Sequence, residues 1–237
     1  MTQHTFLAQG LTILQTRLNE PLESRSLAGK LEVRPFVTIS REAGAGATSL
    51  GHALLPLLNN TFGEEHQSWV FLDRNLLSFA LSQSQLPARL AEYLPEDRIS
   101  EVKGVIGELV GLHPSLWQIE HQVAEVVLQL AHVGRVIFVG RAAHVITKSL
   151  PGGFHIRLVA PPETRISRMM DLMKCDRAAA EAYIQKTDTA RQRYVKTHFD
   201  EDINDPHLYD LIINTSRLQT AKAARVAIEA MRQKFGE

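Results

Sequence analysis

The sequence predicts an α/β protein with a doubly wound parallel sheet, and two observations support this fold class. Five short runs are rich in branched apolar residues, and the longer stretches between them have helical periodicity. Runs that are apolar on both faces and alternate with helices are typical of a parallel sheet covered on both sides. We place the five strands at Phe36 to Ser40, Trp69 to Leu72, Arg135 to Val139, His155 to Val159 and Tyr209 to Ile213.

The helices follow from the same periodicity. The region 75–133 is mostly helical and too long for a plain crossover, so we expect an insertion that caps the carboxyl edge of the sheet. Residues 3–18 form a predicted amphipathic helix that packs on the domain or on a second copy of the chain, which leaves a homodimer open. The predicted domains are therefore a helical extension at 1–30 and a main domain at 31–237. The other predicted helices span 48–59, 163–173, 178–195 and 220–235.

Composition limits the classes of partner. The chain has 237 residues, 44% of them hydrophobic, which is enough for one domain with a buried core. Lysine plus arginine equal aspartate plus glutamate at 26 each, so we expect neither a nucleic-acid nor a membrane partner. The single Cys175 excludes an internal disulfide. No apolar run reaches transmembrane length and the N-terminal segment lacks a leader pattern, so we expect a cytoplasmic protein.

The segment TISREAGAGATSLG, residues 38–51, lies between the first strand and a predicted helix. It matches the phosphate-loop pattern G-x-x-x-x-G-K-[ST] only in part, because Arg41 stands at the first glycine position and Ala47 at the lysine position. A tight strand-to-helix turn that needs small residues for packing is the alternative interpretation. Ser49 stands where a dinucleotide motif has its third glycine, which disfavours a dinucleotide site.

If the segment does bind phosphate, the backbone N–H groups from Gly44 to Ser49 would meet the anion at the positive end of the helix. Gly44 and Gly46 have no side chains to block that approach. Thr48 occupies the hydroxyl position that usually binds Mg²⁺, and Ser49 is a second candidate. The predicted phosphate-binding residues are Gly44, Ala45, Gly46, Ala47, Thr48 and Ser49.

Six segments together resemble the cytidylate kinase-like family, a branch of the nucleoside monophosphate kinases. They are VTISREAGAG, VFLDRNLL, RVIFVGRAAHVI, IRLVAPPETRISRMM, KTDTARQRYVKTHF and YDLIINTSRL, and they fall within about residues 34 to 230. The resemblance implies a phosphate-loop fold with five parallel strands, a helical acceptor-binding insertion, and a lid at about 174–200. It also implies ATP and Mg²⁺ as cofactors and nucleotides as substrates.

The resemblance explains the missing lysine. In this branch the loop reads S-R-E followed by G-x-G without the usual lysine, and residues 40–46 match that pattern. Members often continue with a glycine and an arginine, whereas this chain has Ala47 and Thr48. The remaining candidates for the charge that neutralises the transferred phosphoryl group are Arg41 and the arginines of the lid region. With Arg168 of the helix predicted at 163–173 included, the predicted catalytic residues are Arg41, Arg168, Arg191 and Arg193.

The resemblance also indicates residues for the acceptor. Asp73 and Arg74 follow the second strand, where a helix cap and a solvated arginine are the alternative. Arg141 follows the third strand in the manner of a glycine-arginine pair that reaches the acceptor phosphate. Asp188 belongs to an aspartate-x-x-arginine motif in the lid, for which an intrahelical ion pair with Arg191 is the competing explanation.

A further pair of arginines lies on the helix predicted at 163–173. Arg165 and Arg168 lie one helical turn apart and share a face. We expect Arg168 to face phosphate and Arg165 to border the donor base, although a solvated face explains either.

The sequence thus predicts a nucleotide kinase that transfers the γ-phosphoryl group of ATP to a nucleoside monophosphate, with CMP or dCMP as the first acceptor to test. Two alternatives stay open. One is a nucleotide-binding protein with little or no kinase activity, for which Ala47 is the main argument. The other is a phosphate-loop kinase for a non-nucleotide acceptor.

Overall fold

The computed structural model describes residues 33–63, 68–72, 105–106, 117–140 and 142–236. The strands are β1 (Phe36–Arg41), β2 (Val70–Leu72), β3 (Val136–Val139), β4 (Gly153–Val159) and β5 (Leu211–Asn214). The helices are α1 (Ala47–Phe62), α2 (Trp117–Val133), α3 (Ala143–Ile146), α4 (Pro162–Met173), α5 (Arg177–Phe199) and α6 (Thr220–Phe235). A short 3₁₀ helix, Pro206–Leu208, precedes β5.

The strands form one five-stranded sheet in the order β2-β3-β1-β4-β5, and every neighbouring pair is parallel. β1 therefore lies in the middle, with Ile39 paired to Val139 on one side and to Ile156 on the other. Because the strands are parallel, the carboxyl ends of β1, β3 and β4 meet at one edge. That edge is where open α/β sheets bind ligands.

Both faces of the sheet are buried, which is typical of a parallel sheet covered by helices. Val37 and Ile39 of β1 pack in a core with Leu50 and Leu54 of α1 and with buried residues of α6. Phe36 points to the opposite face, where a second core contains α2, α3 and the end of α5. Helices thus cover the sheet on both sides, as the sequence predicts.

The predicted α/β fold class and all five strands are confirmed, with shifted ends. The helix predicted at 48–59 extends over Ala47–Phe62, and the one at 178–195 extends over Arg177–Phe199. Tyr209 was predicted to begin the last strand, but it lies just before β5, because it ends the 3₁₀ helix. Except for residues 105–106 and α2, the insertion lies outside the described residues, as does the extension at 1–30. The domain boundaries stay predictions.

Candidate active site

The loop between β1 and α1 requires glycine at its first bend. Gly44 has a φ of +78°, which is the left-handed region that other residues avoid. A Cβ atom at Gly44 would lie 2.7 Å from the carbonyl oxygen of Arg165. No larger residue therefore fits here without movement of the loop or of α4.

Helix α1 begins with an unneutralised positive end. Gly46 is its N-cap, no side chain caps the helix, and its first turn has no acidic residue. Among the residues that the structure describes, the amides of Gly44 and Gly46 and those of residues 47–49 have no acceptor in the protein. Thr48 and Ser49 are exposed on the same turn. These donors, together with the helix dipole, favour an anion at this position.

The side chains of Thr215 and Arg168 contact backbone carbonyl groups of the loop. Thr215 Oγ1 donates a 3.0 Å hydrogen bond to the carbonyl of Ala45. Arg168 Nη1 lies 2.8 Å from the Thr215 hydroxyl and 3.4 Å from the carbonyl oxygen of Gly44. Because C=O and N–H point in opposite directions across a planar peptide, fixing the carbonyl of Ala45 turns the amide of Gly46 the other way. Arg168 thus contacts the loop itself.

Asp188 ties helix α5 to the same loop. Its carboxylate accepts a 2.7 Å hydrogen bond from the amide of Ala43 and a 2.6 Å ion pair from Arg165 Nη1. The intrahelical pair with Arg191 is present but longer, at 3.4 Å. Arg165 also lies 3.5 Å from Glu42, so a network of charged groups joins α4, α5 and the loop.

Arg41 and Arg191 meet at the carboxyl edge of the sheet. Arg191 Nη1 donates a 3.2 Å hydrogen bond to the backbone carbonyl of Arg41. The guanidinium of Arg41 lies over Gly140, at the end of β3, where a Cβ atom would collide with Arg41 Nη1. Gly140 therefore gives Arg41 the space to lie across the edge between β1 and β3.

Two cavities open at this edge, and Arg41 and Arg191 line both. One, of about 660 Å³, lies between the ends of β1 and β3 and one side of α5, where Tyr183 and Tyr194 face it. The other, of about 420 Å³, lies between α4, the opposite side of α5 and the end of β4. Both volumes are in the range of ligand sites in proteins.

A buried polar cluster that sequence reasoning missed lies beneath the cavities. The Tyr209 hydroxyl donates a 2.7 Å hydrogen bond to the carbonyl of Ile203 and lies 3.2 Å from Ser40 Oγ and 3.1 Å from His144 Nε2. Burial lowers the pKa of His144 to about 3, and burial raises the pKa of Tyr209. Both rings are therefore neutral at pH 7.

Of the predicted site residues, one is not brought to this site and three are not described. Arg193 is exposed on α5 and lines neither cavity. Asp73, Arg74 and Arg141 lie outside the described residues. The catalytic or acceptor roles expected of these four residues stay predictions.

The side chains beside the loop could hold Mg²⁺ only together with phosphate oxygens of a ligand. Within the described ranges, no cluster of three or more histidine, cysteine, aspartate or glutamate side chains could hold a metal. The exposed hydroxyls of Thr48 and Ser49 each offer one oxygen beside the uncapped helix end. Since Mg²⁺ keeps several waters and takes oxygens from substrate phosphates, one of these hydroxyls could be a single protein ligand beside them.

The parallel five-stranded sheet and the glycine loop leading into an uncapped helix define an α/β protein with a phosphate-loop kinase-like fold. The sequence model of the cytidylate kinase-like family matches residues 36–217, and the chain belongs to this family. The family resemblance predicted from the six sequence segments is thus confirmed. No curated protein matches the chain.

Two crystal structures are similar to this one. That of an uncharacterized protein from Eubacterium ventriosum ATCC 27560 covers 84% of this chain and 99% of its own, with a TM-score of 0.61 and 17% identity. That of TT1252 from Thermus thermophilus covers 84% of this chain and 98% of its own, with a TM-score of 0.42 and 15% identity. The first similarity supports the fold alone. In the part of the chain that the structure describes, no helix has the length and apolar character needed to cross a membrane.

Proposed function

We propose that the protein is a nucleotide kinase that transfers the γ-phosphoryl group of ATP to a nucleoside monophosphate, with CMP or dCMP as the first acceptor to test. The observation that carries the proposal is the uncapped start of α1, with unsatisfied loop amides, next to Arg41 and Arg191. Family membership supports the same chemistry.

The binding of the donor follows from the loop. The amides of Gly44, Gly46 and the first turn of α1 would bind the phosphates of ATP, and Arg168 with Thr215 would keep the loop in the receptive conformation. Mg²⁺, held by the hydroxyl of Thr48 or Ser49, would neutralise charge on the donor phosphates.

The transferred group would meet the arginines at the sheet edge. Arg41 ends β1 directly before the loop, and its guanidinium lies over Gly140 and not at the usual lysine position. Arg191 would add a second guanidinium from α5. Fixed positive groups that stabilise charge on a transferring phosphoryl group act strongly in a site that excludes water.

The acceptor would occupy the two cavities at the sheet edge, which share Arg41 and Arg191 as lining residues. Asp73, Arg74 and Arg141 remain the proposed acceptor residues, together with Asp188 from the lid. In this structure Asp188 contacts the loop and Arg165, so an acceptor role would require it to exchange these partners when α5 moves. Arg193 would likewise need such a movement.

A second candidate is a nucleotide-binding protein without transferase activity. Ala47 favours it, because this buried residue leaves no charge at the lysine position of the loop. The two candidates differ in turnover and not in ATP binding.

The experiment is to incubate the purified chain with Mg-ATP and CMP, dCMP, UMP, AMP or GMP and to follow nucleoside diphosphate by chromatography. We expect turnover with CMP or dCMP. An Arg41→Ala variant should lose about 10²-fold in turnover, whereas Arg225→Ala, which removes an exposed arginine on α6, should not change it. ATP binding without product from any acceptor would contradict the proposal.

A further inference from the structure

Arg157 is a charged residue inside a central strand. It lies on β4 opposite Ser40 of β1, and only 5% of the residue is exposed. Its Nη1 donates a 2.8 Å hydrogen bond to Ser40 Oγ, and its Nη2 donates a 3.0 Å bond to Asn204 Oδ1. The guanidinium lies 5.9 Å from the centroid of the Tyr209 ring. These partners fix its position, and all three are neutral.

No negative charge in the described part of the chain compensates Arg157. The neighbouring arginines differ in this respect, since Arg165 pairs with Asp188 and Glu42, and Arg191 pairs with Asp188. A guanidinium stays protonated when buried, and a buried charge without a counter-charge is costly. With two of its five N–H donors engaged in those bonds, Arg157 keeps both charge and donors that the described residues do not satisfy.

The cavity of about 420 Å³ lies at the same place. Arg157 lines it together with Arg41, Arg165 and Arg191, against three carboxylates. Two of these, Glu42 and Asp188, already pair with Arg165. The third, Glu181, pairs with Arg177, which is not part of the lining. The cavity therefore has an excess of positive charge that an anion would neutralise.

We propose that Arg157 binds a phosphate group of a ligand in this cavity, as a binding residue separate from the amides of the loop. Ser40 and Asn204 hold the guanidinium in advance, so little side-chain freedom is lost when the anion arrives. The ligand's identity, a nucleotide phosphate, rests on the proposed function. Phosphate binding itself requires no transfer step, and free inorganic phosphate has the same chemistry.

The test measures binding to the full chain by calorimetry, with CMP, inorganic phosphate and uncharged cytidine as separate probes. We expect Arg157→Met to weaken CMP binding by about 10- to 100-fold, as expected for lost charge-assisted hydrogen bonds. Cytidine binding should not change. If the variant binds CMP more weakly and the wild type does not bind inorganic phosphate, the site binds the phosphate group of a nucleotide. If the variant binds both CMP and inorganic phosphate more weakly, the site binds phosphate from either source.

Arg135→Met is the matched control, because Arg135 is equally buried at 5% and donates to the carbonyl of Phe62, away from the cavity. We expect it to keep wild-type affinity for CMP. If Arg157→Met does not fold, Arg157→Lys decides, since lysine keeps the charge but loses the fork of donors, and its affinity should fall several-fold.

Unchanged CMP affinity in the Arg157 variant that folds, or no binding of CMP or phosphate to the wild type, would overturn the proposal. If the wild type forms nucleoside diphosphate and the Arg157 variants bind CMP as tightly as the wild type, only the role of Arg157 is refuted. If the wild type shows no turnover but its CMP binding depends on Arg157, only the kinase proposal is refuted.

Discussion

The carboxylate of Asp188 accepts a 2.7 Å hydrogen bond from the backbone amide of Ala43, 145 residues earlier in the chain. The same carboxylate forms a 2.6 Å ion pair with Arg165. Helix α5 is thereby joined to the loop that leads into α1. Since α5 lies in the segment predicted to act as a lid, the position of that segment and the conformation of the loop are physically connected.

Asp188→Asn should weaken this connection. The amide oxygen of asparagine still accepts from Ala43, but the ion pair with Arg165 is lost. We expect the free energy of unfolding to fall by about 1–3 kcal/mol, together with a lower kcat/KM for ATP. The control is Glu181→Gln on the same helix, whose pair with Arg177 is exposed and should change stability by less than about 0.5 kcal/mol. Equal urea denaturation curves for the two variants would argue against the connection.

Gly44→Ala should be far more harmful than the same change at another left-handed glycine. Alanine at Gly44 meets the carbonyl of Arg165 at 2.7 Å in addition to the unfavourable φ of +78°. Gly236 has a φ of +80° and open space around it. We expect losses of about 2–4 kcal/mol at Gly44 and about 1 kcal/mol at Gly236. Denaturation of both variants measures the difference, and similar losses would show that the loop relaxes around the added methyl group.

Thr215→Val should reduce ATP affinity without unfolding the protein. The substitution removes the hydroxyl that donates to the carbonyl of Ala45 and contacts Arg168, so the loop loses the hydrogen bond that orients this carbonyl. We expect about tenfold weaker ATP binding by calorimetry, which corresponds to one hydrogen bond. The adjacent Ser216→Ala removes a hydroxyl that bonds to Asn214 and should leave the affinity unchanged. Wild-type affinity in Thr215→Val would mean that the loop needs no such support.

Stability should fall in mild acid because two histidines are buried in the neutral form. Burial lowers the pKa of His144 to about 3, and burial lowers that of His155 to about 4. Their ordinary pKa is about 6.5. As the pH drops below that value, the unfolded chain takes up protons that the folded chain does not, so stability is lost towards pH 4.

Each histidine contributes a slope of up to about 1.4 kcal/mol per pH unit in this window. Urea denaturation at pH 7, 6 and 5 measures it. His144→Gln should flatten the pH dependence, and His207→Gln, which changes an exposed residue, should not. A free energy of unfolding that stays constant from pH 7 to pH 5 would contradict the buried neutral state.

The strands and the glycine loop can be predicted from the sequence, whereas side-chain contacts between distant segments cannot. β3 is recognisable because burial on both faces makes it continuously apolar. The loop is recognisable because Gly44 and Gly46 follow a strand and precede a helix. Thr215, in contrast, acts on Ala45 across 170 residues, and periodicity carries no information on such a contact.

Arg157 did leave a signal in the sequence. An arginine in the middle of a buried strand is unusual, because arginine is rarely buried without a partner. Its hydrogen bonds to Ser40 and Asn204 depend on the pairing of β1 with β4, which only the folded sheet defines.

The most direct test of kinase activity is to follow the labelled γ-phosphoryl group of ATP in the presence of CMP and Mg²⁺. We expect the label to appear in CDP, its transfer to depend on Arg41, and little inorganic phosphate to be released. Label that stays in ATP, or that appears only as inorganic phosphate with every nucleoside monophosphate, would contradict the assignment of this protein as a nucleotide kinase.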